Sequence, residues 1–141
     1  MNKIIALRGK SKSGKSTTIA YLHELLLANR VAPLPGNYQE YGADFSDIFI
    51  DGITGIGITN AGNTCDTLHS RLKHLMDDGC QICICTCGAS GDTQRTLQEF
   101  TGFQVDFVPK TYAQDFLEEE SVNKEDARKL YTLLKEHLYT I

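Results

Sequence analysis

The stretch Gly9-Lys10-Ser11-Lys12-Ser13-Gly14-Lys15-Ser16 constrains this chain more than any other, because of what flanks it. Lys3 to Arg8 reads as a short apolar strand, and Thr17 to Asn29 carries apolar residues at helical spacing. A glycine loop between them commits the chain to a strand-turn-helix unit. Gly9 is expected to let the chain leave the strand in a conformation that a side chain forbids, and Gly14 to let the backbone close on a bound group. The N–H groups from about Ser11 to Ser16 then face one concavity, a nest for an anion. The nest lies at a helix N-terminus, where unpaired N–H groups and the helix dipole both favour negative charge. Lys10, Lys12 and Lys15 concentrate positive charge at the same place.

The spacing is G-x-x-x-x-G-K-[ST], and through it the chain resembles the P-loop NTPase superfamily. The motif itself covers about the first 30 residues, and alternating strands and helices give a looser likeness over the rest. The resemblance implies a nucleoside triphosphate as ligand, ATP or GTP, with Mg²⁺. Lys15 would bridge the β- and γ-phosphates, the Ser16 hydroxyl would bind Mg²⁺, and Thr17 would reach the α-phosphate. Gly9, Lys10, Ser11, Lys12, Ser13 and Gly14 would wrap the phosphates. An ordinary glycine turn capping a helix is the alternative.

At 141 residues the chain is expected to form a single domain spanning 1–141. Its 41% apolar and 23% charged shares are those of a soluble globular protein. The net charge of −4 argues against nucleic acid or an anionic membrane as the main partner, since both favour basic surfaces. No run approaches the ~20 apolar residues of a membrane span. The few apolar residues before Arg8 are too short for a signal peptide. Five cysteines, an odd number, fit a reducing cytoplasm.

Ile19, Leu22, Leu25 and Leu26 form the stripe of the first helix. His23 on that helix reads as a packing or surface residue, with a functional base as the alternative. Val31 to Asp47 contains Pro33, Pro35, Gly36 and Gly42, which break any helix. A surface loop pinned by Tyr38, Tyr41 and Phe45 is the reading from composition. In small GTPases a mobile switch loop follows the first helix, and by that resemblance Gln39 to Asp47 would approach the nucleotide.

Ser46–Ile50 and Ile53–Asn60 are β-rich runs around Asp51-Gly52, a hairpin signal. Asp51 reads as a turn residue. Ile48-Phe49-Ile50-Asp51 also looks like a Walker B strand, which gives Asp51 a second reading as a Mg²⁺ acid. The second run leads into Thr59-Asn60-Ala61-Gly62-Asn63-Thr64, which resembles the D-x-A-G turn of GTPases and deviant-Walker-A ATPases. There the glycine N–H senses the γ-phosphate and the aspartate holds Mg²⁺ through water. Gly62 matches, and Thr59 stands where the aspartate would be. Asn60, Asn63 and Asp66 are the polar candidates for the missing role, and a plain strand-to-helix connection is the alternative.

A helix from about Asp66 to Asp78 carries Leu68, Leu72, Leu75 and Met76 on one stripe, with Gly79 as its C-cap. In Cys80–Gly88, alternation puts Cys83, Cys85 and Cys87 on one face and Ile82, Ile84 and Thr86 on the other. Such an apolar run suits a central parallel strand. The cysteines read as small core residues, with metal or redox chemistry at Cys80-x-x-Cys83 as the alternative. The following loop would lie outside a strand's carboxyl end, where open α/β sheets bind ligands. Arg95 beyond it is the candidate cationic partner of a transition state, against a solvated helix residue.

A helix over Thr93–Phe100, a strand over Phe103–Val108 and an acidic connection over Thr111–Glu120 follow. The last helix is expected over Asn123–Tyr139, with Ala127, Leu130, Tyr131, Leu134 and Leu138 inward. It opens on Asn123-Lys124-Glu125-Asp126, which spells N-K-x-D, the guanine-reading motif of GTPases. Here it stands well past the strand that precedes it in that family. Helix capping by Asn123 is therefore preferred to guanine recognition.

These elements predict a three-layer α/β/α sandwich, P-loop NTPase-like, with a mostly parallel sheet of about five strands and one antiparallel hairpin strand. The resemblance implies Mg²⁺-dependent binding of a nucleoside triphosphate, ATP first, with slow hydrolysis or phosphoryl transfer. A small-molecule or nucleotide kinase shares the loop, but no stretch here is long enough for a lid or a substrate insertion. A non-catalytic nucleotide-binding module or nucleotide-gated regulator fits the missing metal acid. Lys10 matches the signature lysine of deviant-Walker-A ATPases, which reaches a partner subunit's nucleotide. On that likeness a homodimer is expected, with a solvated lysine as the alternative.

Overall fold

The computed structural model describes residues 2–29, 31–61 and 64–140. The apolar strand β1 (Asn2–Gly9) feeds through the glycine loop into α1 (Lys15–Ala28). Then come β2 (Ala32–Pro33), β3 (Gln39–Tyr41), β4 (Asp44–Asp51), β5 (Thr54–Thr59) and α2 (Cys65–Asp77). They are followed by β6 (Cys80–Gly88), α3 (Gly91–Gln98), β7 (Phe103–Pro109), a 3₁₀ turn at Phe116–Glu118 and α4 (Glu119–Thr140).

The strands form one seven-stranded sheet in the order β2-β4-β5-β6-β1-β7, with β3 beside β4. β5, β6, β1 and β7 run parallel, and β4 returns antiparallel to β5. The irregular stretch after α1 supplies the two strands beyond the expected five. β2 and β3 are short antiparallel pieces on β4, and Pro33 confines β2 to an edge. The hairpin forms one residue later than expected: Asp51 stays in β4 and pairs with Thr54, and the turn is Gly52-Ile53, not Asp51-Gly52.

Alternation along the strands sorts the core into two layers. On one face Ile5, Leu7, Phe49, Ile58 and Ile84 meet Ile19, Leu22 and Leu26 of α1 and Ala127, Leu130 and Leu134 of α4. On the other, Ile4, Ala6, Ile48, Cys83, Cys85 and Cys87 meet Leu68, Leu72 and Leu75 of α2 and Leu97 of α3. Each such leucine or isoleucine, taken fully from water, contributes about 1.5–3 kcal/mol. All five cysteines are free. Burial pushes the Cys80 thiol up to about 12 and Cys87 to about 11, and raises Cys83 and Cys85 as well. The row on β6 is therefore neutral apolar filling, and among the described residues no group of three His, Cys, Asp or Glu side chains could hold a metal. No described helix is long and apolar enough to cross a membrane.

α4 begins at Glu119, so Asn123 lies inside the helix and not at its cap. Packing decided this. The acidic segment before Asn123 continues into the first helical turns, and Asn123 and Asp126 face inward from the helix, both buried.

Candidate functional site

The glycine loop turns at two residues with positive φ, Lys12 at 60° and Gly14 at 96°. Gly9 is different from the expectation. It stays in β1, paired with Gly88, and its φ is not in the left-handed region. Crowding is what requires glycine there, since a Cβ would lie 2.8 Å from Cβ of Lys110. At Gly14 a Cβ would lie 2.5 Å from Asn123 Oδ1. The loop is closed by Ser13 Oγ, which donates to the Lys10 carbonyl at 2.7 Å. Buried Thr18 donates from Oγ1 and from its N–H to the Gly14 carbonyl.

The start of α1 differs from that of α2. Thr64 caps α2 by accepting from the Thr67 N–H. α1 starts on Gly14 with no side-chain cap and no acidic residue in its first turn. Ser11-Lys12 form a hydrogen-bonded turn, which occupies the Ser13 N–H; among the described residues, the N–H groups of Ser11, Lys12 and Gly14 through Thr17 find no protein acceptor. Lys15 Nζ donates to the carbonyls of Gly9 and, at 3.1 Å, Cys87. Burial holds its pKa below the ordinary lysine value, against a smaller opposing contribution from Cys87. Loop residues 10–17 line a cavity of about 670 Å³ together with Thr86, Tyr112, Ala113, Glu119 and Asn123. Donors free at a helix N-terminus, beside a partly buried ammonium, suit a multiply charged anion.

Two strand ends flank the loop. On the β5 side, Ser16 Oγ lies 3.5 Å from the Asn60 carbonyl. The polar side chains there are already engaged: Asn60 Oδ1 accepts from the Phe45 N–H at 2.8 Å, and Thr59 Oγ1 donates to the Phe45 carbonyl at 2.9 Å. On the β7 side, the Tyr112 hydroxyl accepts from the Lys10 N–H at 3.1 Å, and Lys10 Nζ sits 4.7 Å from the Tyr112 ring centre. Below it, Asp126 accepts from the Thr111 N–H and Oγ1, both at 2.7 Å, and pairs with Lys110 at 3.0 Å. Burial of Asp126 raises its pKa, but the bonds from Thr111 and Lys110 outweigh this and hold the carboxyl below the usual aspartate range.

The other sequence candidates fall outside the cavity. Asp51 is the last residue of β4, at the hairpin end and opposite the Asn60 end of β5, so it is neither a turn residue nor a neighbour of Ser16. Asp66 is an exposed residue of the first turn of α2 and does not line the cavity. Arg95 is exposed and pairs with Asp92 on its own helix. Gly62 and Asn63 lie outside the described residues. No described residue of 31–47 lines the cavity. That segment is held down by its aromatics: Tyr38 stacks on Phe45 at 5.8 Å, and both rings pack on His23. His23 is a packing residue with a buried partner, Asp47 at 2.7 Å. The guanine-reading role does not fit Asp126, whose oxygens are occupied inside the protein.

Thr86, Tyr112, Ala113 and Glu119 escaped the sequence reading. Thr86 was legible in principle, two residues from the carboxyl end of a strand beside β1. Tyr112, Ala113 and Glu119 sit in a segment with no motif, and only the fold carries it to the loop. No family model, no curated protein and no solved structure matches the chain.

Proposed function

We propose that the protein binds a nucleoside triphosphate, ATP in preference to GTP, with Mg²⁺, through a loop of the P-loop NTPase kind. The start of α1 carries the reading: an uncapped helix N-terminus without acidic residues, opening on a cavity of about 670 Å³ that Lys15 helps to line. The four parallel strands and the helices on both faces of the sheet support the same fold. Lys15 would exchange its backbone carbonyls for phosphate oxygens, and the free amides would hold the phosphates without reorganising. Ser16 Oγ and the Asn60 carbonyl are neutral oxygens that suit Mg²⁺ carried on phosphates and water. Bound there, the metal would neutralise charge on the phosphates. The engagement of Asp126 supports ATP over GTP, and the free cysteines support a reducing, cytoplasmic setting.

A second reading, a binding module or nucleotide-gated regulator with little turnover, is favoured by the β5 end. Thr59 and Asn60 spend their side chains on Phe45, and among the described residues no carboxylate takes their place beside Ser16. Glu119 is the one carboxylate among the described residues that lines the cavity. The Lys10 ammonium lies over a ring of its own chain, so the proposal holds the nucleotide within one chain.

Titration calorimetry with Mg·ATP and Mg·GTP tests the proposal. ATP is expected to bind in the micromolar range and more tightly than GTP. Lys15→Ala should bind at least ~10-fold more weakly, the worth of a charged hydrogen bond of about 1.5–3 kcal/mol. Wild-type affinity in that variant, or no binding of any triphosphate, overturns the reading. Phosphate release over hours then separates slow hydrolysis from the module, and transfer to a panel of nucleosides and sugars would mark a kinase.

A further inference from the structure

Both glycines of the loop are crowded by the same supporting structure. Lys110 continues the β7 pairing, its N–H donating to the Arg8 carbonyl at 2.8 Å, and its Cβ fills the space that a side chain at Gly9 would need. Its side chain is fully buried and ends on Asp126 of α4, which is also fully buried. Asp126 in turn fixes Thr111 by two bonds, and the next residue, Tyr112, holds the Lys10 N–H. One turn before Asp126 on the same helix, Asn123 lies against Gly14 with Oδ1 buried and without a partner among the described residues. α4 therefore meets the loop directly at Gly14 and, through Lys110 on Asp126, at Gly9.

We infer that Lys110 and Asp126 are positioning residues of the phosphate loop: their buried ion pair fixes residues 109–113 on α4 and so sets the shape of the loop from Gly9 to Gly14. The inference rests on the nucleotide reading above. A buried ion pair is a poor source of stability, and well-packed apolar residues often replace one without loss. What it provides here is direction. Three donors converge on one carboxylate and admit one register of Thr111 on the helix, which an apolar contact would not enforce.

The test is calorimetric titration with Mg·ATP and, separately, inorganic tripolyphosphate, well below the unfolding midpoint of each variant. Asp126→Asn is expected to lose about 10-fold in affinity for both ligands alike, because misplaced donors fail any polyphosphate. Lys110→Met/Asp126→Leu keeps the site packed but frees Thr111, and the same loss is expected. It carries the test if Asp126→Asn does not fold. Leu134→Ala, a core residue further along α4, should lower the unfolding midpoint and leave affinity unchanged. Wild-type affinity in the folded pair variants overturns the inference, as does an equal loss in Leu134→Ala. Lys15→Ala keeps the two ideas apart: wild-type affinity there sinks the nucleotide reading, whereas loss there with none in the pair variants sinks this inference alone.

Discussion

The two strand ends beside the loop use similar residues in opposite ways. At the end of β5, Thr59 and Asn60 turn their side chains into the sheet and stitch β4 to β5 through the Phe45 backbone. At the end of β7, Lys110, Thr111 and Tyr112 turn theirs toward α4 and the loop. Proximity to a phosphate loop thus does not make a polar residue a ligand. What matters is the hydrogen-bonding capacity left after the fold has taken its share. By that measure the free groups among the described residues are the amides of Ser11, Lys12 and Gly14 to Thr17, and Lys15 holds carbonyls that it can exchange for a ligand.

The comparison can be broken first on the β7 side. Asp126→Ala leaves Lys110 charged and buried without its counter-ion, with the Thr111 carbonyl still accepting from it at 2.6 Å, and a loss of about 3–5 kcal/mol is expected in urea unfolding. A loss under ~1 kcal/mol would mean the pair is relaxed in solution. The same pair sets an acid dependence. A carboxyl with a depressed folded pKa contributes stability above the ordinary aspartate value near 3.8, and loses it as pH falls through the folded value. The stability gap between wild type and Asp126→Asn should therefore close in acid, below about pH 3.8, and be fully open at neutral pH.

On the β5 side, Asn60→Ala strands the buried Phe45 N–H, at a cost of roughly 1–3 kcal/mol by chemical denaturation. Nucleotide affinity should not change, because the side chain is already committed. A loss of affinity beyond the loss of stability would give Asn60 a ligand role and erase the contrast. Lys12→Gly is a smaller change. It relieves about 1–2 kcal/mol of left-handed strain, partly offset by the entropy of glycine in the unfolded chain, for a net gain of roughly 0.5 kcal/mol in thermal unfolding. Asp51→Ala and Arg95→Ala, both away from the cavity, should leave ATP affinity within about 2-fold by titration.

Much of this was legible because it is local. The strand-loop-helix unit, the presence of a hairpin at Gly52 though not its register, the alternation along Cys80–Gly88 and the inward stripe of α4 each follow from spacing within a few residues. The candidates that failed were those whose meaning depends on a distant partner. Asp51 has the residues of a metal strand, but β4 runs antiparallel to its neighbour and carries Asp51 to the wrong end of the sheet. Asn123 and Asp126 spell a motif, yet their partners at Gly14, Lys110 and Thr111 are set by how α4 folds back on the loop.

The sequence alone determined the long strands and helices and their order, the position of the glycine loop and which faces are apolar, since these depend on backbone preference and period; the short edge strands β2 and β3 form only by pairing with β4. Tertiary structure decided that β6 is inserted between β1 and β5, which strand ends reach the cavity, and which polar groups remain free there. Those outcomes depend on pairing across the whole chain. A hydrogen bond such as Thr111 to Asp126 forms only once a strand and a helix have been brought together.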